Sequence, residues 1–196
     1  MHEELQSSRR GLLGLAGTAA LSVAAIGILG DVPALAQTRS RKIGVAAHQG
    51  DIDILNVALG LEWEAIEAYQ IGAESNLLQK PVLDLALTFQ GHHKGHADAL
   101  AGAVKQLGGQ PVAPKSRADY MTSLNIAAIK DQADILRLAQ LHERGAANAY
   151  IGVIPSLGDS ALHQVCAKIA ADEAAHWSII SQALSQAMPK AAFMFG

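Results

Sequence analysis

Four stretches of this 196-residue chain repeat apolar residues at helical intervals, and each apolar stripe is broken by a group able to bind a metal ion. The first face reads Leu55, Leu59, Glu62, Ile66, Tyr69, and the second Phe89, His93, His96, Leu100, Val104. The third reads Leu136, Ala139, Glu143, Ala147, Tyr150, and the fourth Cys166, Ile169, Glu173, His176, Ile180. Spacings of three and four put each set on one side of a helix. A carboxylate buried without a partner is costly and tends to take up a proton instead. Several such groups in one core point to a shared cation.

Composition favours the same all-α reading. Half the residues are apolar, only 4% are aromatic, and Ala and Leu dominate, a mixture suited to packed helices rather than sheets. The net charge of −3 supplies no basic patch for nucleic acid. One cysteine, Cys166, excludes an internal disulfide framework, so the fold must stand on its core.

The pattern also sets boundaries. Asp51 or Asp53 is a plausible cap for a first helix running to about Ala73. Ser75, Asn76 and Lys80-Pro81 punctuate it, and Pro81 suits the first turn of a second helix ending before Gly108-Gly109. Between Gln110 and Lys130 a short helix can follow Ser116, with Asp119 three residues on. A third long helix covers Asp131 to Val153. After the Pro155–Asp159 turn, Ser160 is a cap for a fourth helix that stops before Pro189. The connections are short, long, short, which describes two antiparallel helical hairpins joined by a long crossover, one way to wire a four-helix bundle. The expected organisation is an export signal over 1–36, a linker over 37–50, the bundle over 51–187 and a tail over 188–196.

The N-terminus reads as an address. Ser8-Arg9-Arg10-Gly11-Leu12-Leu13 precedes an apolar run to about Leu29, and Ala34-Leu35-Ala36 is a small-x-small cleavage site before Gln37. The paired arginines resemble a twin-arginine signal, which implies export of a folded chain to the periplasm, with no membrane association after cleavage. The alternative is an uncleaved anchor, since Gly11 to Gly30 could span about 30 Å.

A height comparison strengthens the metal reading. In an antiparallel hairpin, residues equally far from the turn lie side by side. Glu62 and His93 are centred between residues 77 and 78, and Glu62 and His96 on residue 79, within the first turn. Glu143 and Glu173 are centred on 158, and Glu143 and His176 between 159 and 160, at the second turn. The hairpins also echo each other. Tyr69 follows Glu62 by seven residues, as Tyr150 follows Glu143, while Glu62 to His96 spans 34 residues and Glu143 to His176 spans 33. This weak repeat predicts a pseudo-twofold site.

Leu61-Glu62-Trp63-Glu64, Glu143 ahead of Asn148-Ala149-Tyr150, and Asp172-Glu173-Ala174-Ala175-His176 resemble the ferritin-like superfamily, and in particular its exported bacterial members, over residues 51 to about 187. The resemblance implies a ferritin-like four-helix bundle holding two irons. In such bundles one Glu comes from each of two helices and Glu-x-x-His from the other two. Glu62 and Glu143 match the single carboxylates, and Glu173 with His176 matches one Glu-x-x-His. The second helix departs, because His93 stands where a bridging Glu is expected beside His96. Three carboxylates then face two divalent ions, a balance of about +1. A single ion, an asymmetric pair, or zinc or copper becomes an alternative to iron or manganese.

The neighbouring polar residues have plainer readings. His92 and His142 are alternative ligands, or support a ligand through a hydrogen bond. His163 reads as a surface or capping residue, and Glu64 and Glu67 as facing solvent or partner helices. Asp172 faces the same way or orients a ligand histidine. Tyr69 and Tyr150 are core residues that could bond a ligand carboxylate, and Cys166 is a small buried hydrophobe. If the whole cluster were a relic, hydrogen bonds and trapped water would satisfy it. Three functions fit the pattern. One is a metal-dependent oxidoreductase handling dioxygen or peroxide. The others are a non-catalytic metal-binding protein and a stress-related or accessory structural protein stapled by its metal. Mineral storage ranks below these, because no cage contact is legible, and oligomerisation is not readable.

Overall fold

The computed structural model describes residues 46–196. The export signal and the linker as far as residue 45 lie outside the described residues. Helix α1 spans Ala46–Glu74, α2 Lys80–Gln106, α3 Arg117–Ser123, α4 Gln132–Val153 and α5 Ser160–Ala183. Short 3-10 turns at Ile126–Ala128 and Ile154–Ser156 complete the path, and no strand occurs among the described residues. No described helix is long and apolar enough to cross a membrane. The chain is an all-α four-helix bundle. The pairs α1–α2 and α4–α5 form the two closely packed hairpins, and the segment carrying α3 crosses between them.

Local chemistry explains most boundaries. Pro81 sits in the first turn of α2, where its missing N–H costs nothing. Gly108, at φ 82°, ends that helix: its N–H bonds to Lys105 O, and Gly109 N–H to Val104 O. Ser116 and Asp119 make a reciprocal capping box on α3. Asp131 caps α4 through the N–H of Asp134.

Two caps differ from the sequence reading. Helix α1 starts at Ala46, so residues 46–50 of the expected linker are helical and neither Asp51 nor Asp53 is a cap. Asp51 is 2% exposed, and its two oxygens accept the backbone N–H groups of Gly158 (2.8 Å) and Asp159 (3.1 Å), fastening α1 to the turn before α5. The cap of α5 is Asp159 rather than Ser160, because the Asp159 side chain accepts from Ala161 N–H. The tail returns to the bundle: Arg144 donates to Met194 O, and the Phe195 ring meets Trp177 edge-on.

The apolar core is split in two. A larger cluster includes Leu55, Leu59, Leu100, Val104, Val153 and Cys166; a smaller one holds Phe89, Leu136 and Ile180. Glu62, His93, His96, Glu143, Glu173 and His176 are all buried as well, and they form a polar layer among these apolar side chains.

Candidate metal centre

All six side chains singled out in the sequence meet in that layer. Each hairpin delivers its own donors at one height. His93 Nδ1 lies 2.8 Å from Glu62 Oε2, and His176 Nδ1 lies 3.2 Å from Glu143 Oε2. Glu173 closes the gap between hairpins, with Oε1 3.0 Å from His96 Nδ1 and Oε2 3.7 Å from His176 Nδ1.

The donors fall into two overlapping quartets. Glu62, His93, His96 and Glu173 form one, and Glu143, His93, His176 and Glu173 the other. In each, one atom per residue lies within 4.8 Å of all the others. The pseudo-twofold is therefore a physical arrangement: Glu62 answers Glu143, His96 answers His176, and His93 and Glu173 stand opposite one another in both sets. The supporting residues obey the same relation. Tyr69, from the first hairpin, donates to Glu143, while Tyr150, from the second, donates to Glu62 at 2.5 Å. Asp172 lies 3.2 Å from His96 Nε2, and His92 Nδ1 lies 2.8 Å from His176 Nε2. His92 and Asp172 each precede the shared residue of their helix and each hold the terminal histidine of the other.

The other sequence candidates stand apart. His142 belongs to neither quartet and has its Nδ1 3.9 Å from Glu64 Oε1. Glu64 accepts from Ser123 Oγ, and Glu67 pairs with Arg117, so both face α3. His163 bonds Leu157 O at the start of α5. Cys166 is buried in the larger apolar cluster, and burial pushes its thiol up to about 11.

Electrostatics show how much the cluster wants positive charge. Burial raises the Glu173 carboxyl, the nearby Glu143 raises it further, and it titrates at about 7. Burial pulls His96 down, but Glu173 and Glu62 outweigh it and lift the imidazole to about 10. His93 is held well above its ordinary value against burial, chiefly by Glu173, Glu143 and Glu62. Burial would raise Glu143 and Glu62, yet Glu143 is held well below the carboxylate range by Glu173, His176 and His93, and Glu62 below it by His93 and His96. Without a metal, protons do the work of cations. Tyr69 and Tyr150 are driven well above the phenol range by burial and by the carboxylates they donate to.

The decisive atoms are those without hydrogen bonds. Glu173 has no exposed surface, and neither of its oxygens is hydrogen-bonded; His96 Nδ1 is likewise unsatisfied. The 3.0 Å approach of His96 Nδ1 to Glu173 Oε1 lacks hydrogen-bond alignment. A buried carboxylate and imidazole aimed at one point without bonding each other fit a cation between them. A cavity of about 70 Å³ lined by all four long helices reaches Glu62, His93, Glu143 and Glu173, with apolar walls such as Ala65, Ala68, Leu138 and Ala146.

A family model described as a ferritin-like domain matches residues 50–186. The chain belongs to the ferritin-like domain family. Among solved structures, this ferritin-like chain is similar to a conserved hypothetical protein, rv2844, from Mycobacterium tuberculosis. The two share 20% identity over 76% of this chain and 99% of that one, with a TM-score of 0.63. It is also similar to the bacterioferritin-related protein of Bacteroides fragilis, a dodecameric thioferritin. There the identity is 21% over 84% of this chain and 92% of the other, with a TM-score of 0.59. At such identities the likeness concerns the fold. No curated protein sequence matches the chain.

The sequence allowed each tyrosine a bond to a ligand carboxylate and His92 a supporting bond; that the tyrosines reach the opposite hairpin, and that His92 meets His176, was not legible. A signal for both was present: equal Glu-to-Tyr spacing in the two hairpins, and alignment of His92 with Asp172 in the repeat.

Proposed function

We propose that this ferritin-like chain is an exported metalloprotein whose central Glu/His cluster binds iron and passes electrons from it to dioxygen or peroxide. The observation that carries the reading is Glu173, wholly buried with two oxygens that make no hydrogen bond, beside His96 Nδ1, which makes none either. Bound iron would supply a one-electron ferrous–ferric couple, and the electrons of two ferrous ions, one from each of two chains or two turnovers, with two protons would convert dioxygen to hydrogen peroxide. The chain's own residues prepare that chemistry. Glu62, Glu143 and Glu173 favour the higher charge of the ferric state. Tyr69 and Tyr150 hold Glu143 and Glu62 in place by hydrogen bonds. The apolar-walled cavity reaches Glu62, His93, Glu143 and Glu173 and gives a small apolar oxidant a way to the layer. Manganese would suit the same donors.

Ferrous iron added without oxygen, then exposed to air, is expected to give a near-ultraviolet absorption rise with matching oxygen consumption. Bound iron that shows neither on exposure to air or peroxide refutes the oxidant-handling role. A second reading, binding and delivery of zinc or copper without turnover, draws on the three buried imidazoles His93, His96 and His176. Competitive titration separates the two, and a clear preference for iron counts against delivery. Export through the Arg9-Arg10 signal belongs to the same proposal. Residues 1–45 fused to a folded reporter should carry it to the periplasm, and replacing both arginines with lysine should stop it. By analogy with the dodecameric relative, a homo-oligomer is proposed as the working form, to be tested by light scattering.

A further inference from the structure

His93 is shared by both quartets, and its two ring nitrogens point in opposite directions. Nδ1 faces Glu62 Oε2 at 2.8 Å and Glu173 Oε1 at 3.6 Å. Nε2 faces Glu143 Oε1 at 3.3 Å. A carboxylate at this place could give one oxygen to each of two ions. A neutral imidazole has one lone pair to give, and its other nitrogen carries a hydrogen. Resting on the proposed metal-binding role, we infer that each chain holds one metal ion rather than two, that the ion sits among Glu62, His93, His96 and Glu173, and that His93 excludes a second ion from the Glu143–His176 side.

The hydrogen-bond pattern selects the side. Glu173, with both oxygens unsatisfied, serves either quartet, but His96 Nδ1, in the first quartet, is unsatisfied, whereas its counterpart His176 Nδ1 already bonds Glu143 Oε2. With Nδ1 of His96 on an ion, its Nε2–H donates to Asp172, the carboxylate–histidine–metal arrangement that fixes a ligand ring and raises its basicity. With Nδ1 of His93 on the same ion, its Nε2–H donates to Glu143. Two carboxylates, Glu62 and Glu173, then neutralise one divalent ion. On the other side Glu143 needs no cation. It accepts from Tyr69 and from His93 Nε2–H on Oε1, and from His176 Nδ1–H on Oε2. His176 is held at its far nitrogen by a second imidazole, His92, in place of a carboxylate.

The test is a metal count. Metal-free full-length protein is incubated with excess manganese(II) or zinc(II), desalted and analysed for metal per chain, with circular dichroism as the folding check. Wild type should retain one ion, and manganese in it should give the resonance spectrum of isolated ions rather than of a coupled pair. His93→Glu should retain two. Glu62→Gln, which removes a ligand, should abolish retention through desalting, whereas Glu143→Gln, which removes only the acceptor of His93 Nε2–H, should still keep one ion at an affinity lowered about tenfold. Two ions in wild type, coupled or not, overturn the inference while leaving the proposed metal-binding role standing. Equal losses in Glu62→Gln and Glu143→Gln overturn the choice of side. Wild type that binds no ion at all defeats the metal-binding role itself.

Discussion

At His96 the pull of burial toward the neutral ring loses to Glu173 and Glu62, and the imidazole keeps its proton to about pH 10 instead of 6.5. A raised value means that the folded chain binds the proton more tightly than the unfolded one. The resulting stabilisation is complete below pH 6.5 and disappears as pH climbs to about 10. Glu173, raised from 4.5 to about 7, adds the same sign in a lower window. The metal-free protein should therefore lose melting temperature steadily from pH 5 to pH 10, whereas the metal-loaded protein, with ions in place of protons, should change far less. Calorimetry of both forms checks this. Binding should also expel protons, so apparent affinity rises with pH. The clustering of the six side chains was readable from sequence because a carboxylate or imidazole on an apolar stripe is costly to bury unless it has something to bind. Which nitrogen of His93 faces which carboxylate was not readable, since ring orientation is set by neighbours on three other helices.

At the scale of the helices, two alternations of helix and turn fixed the hairpins, and the shared height of the six clustered side chains followed from counting outward from Ser75–Pro81 and Ser156–Ser160. The start of α1 did not follow. Asp51 has the chemistry of a cap, and it does bond backbone N–H groups at the entry to a helix, but that helix is α5, more than a hundred residues away. Local sequence carries no sign of a partner so distant. Asp51→Ala leaves the N–H groups of Gly158 and Asp159 without these acceptors, and should cost about 1–3 kcal/mol. Denaturant unfolding should show this loss, while metal retention, determined some three turns along α1, stays unchanged.

For the molecule as a whole, an ion that binds the folded chain alone adds its binding energy to stability. Free metal at a hundred times its dissociation constant should stabilise by about 2.7 kcal/mol, roughly 5–10 °C in melting temperature for a domain of this size. A chelator should remove that gain, and a shift that survives chelation would mean the cluster rests on its own hydrogen bonds. Tyr69 and Tyr150 bear on how the bundle comes apart, because each grips the carboxylate of the opposite hairpin. The two halves are clasped like interlocked fingers, and neither can lift away without stranding a charge on the other. Slow amide exchange along the middle of α1 and α4 should therefore proceed only by unfolding of the entire bundle, with no partially opened form in which one hairpin stays intact.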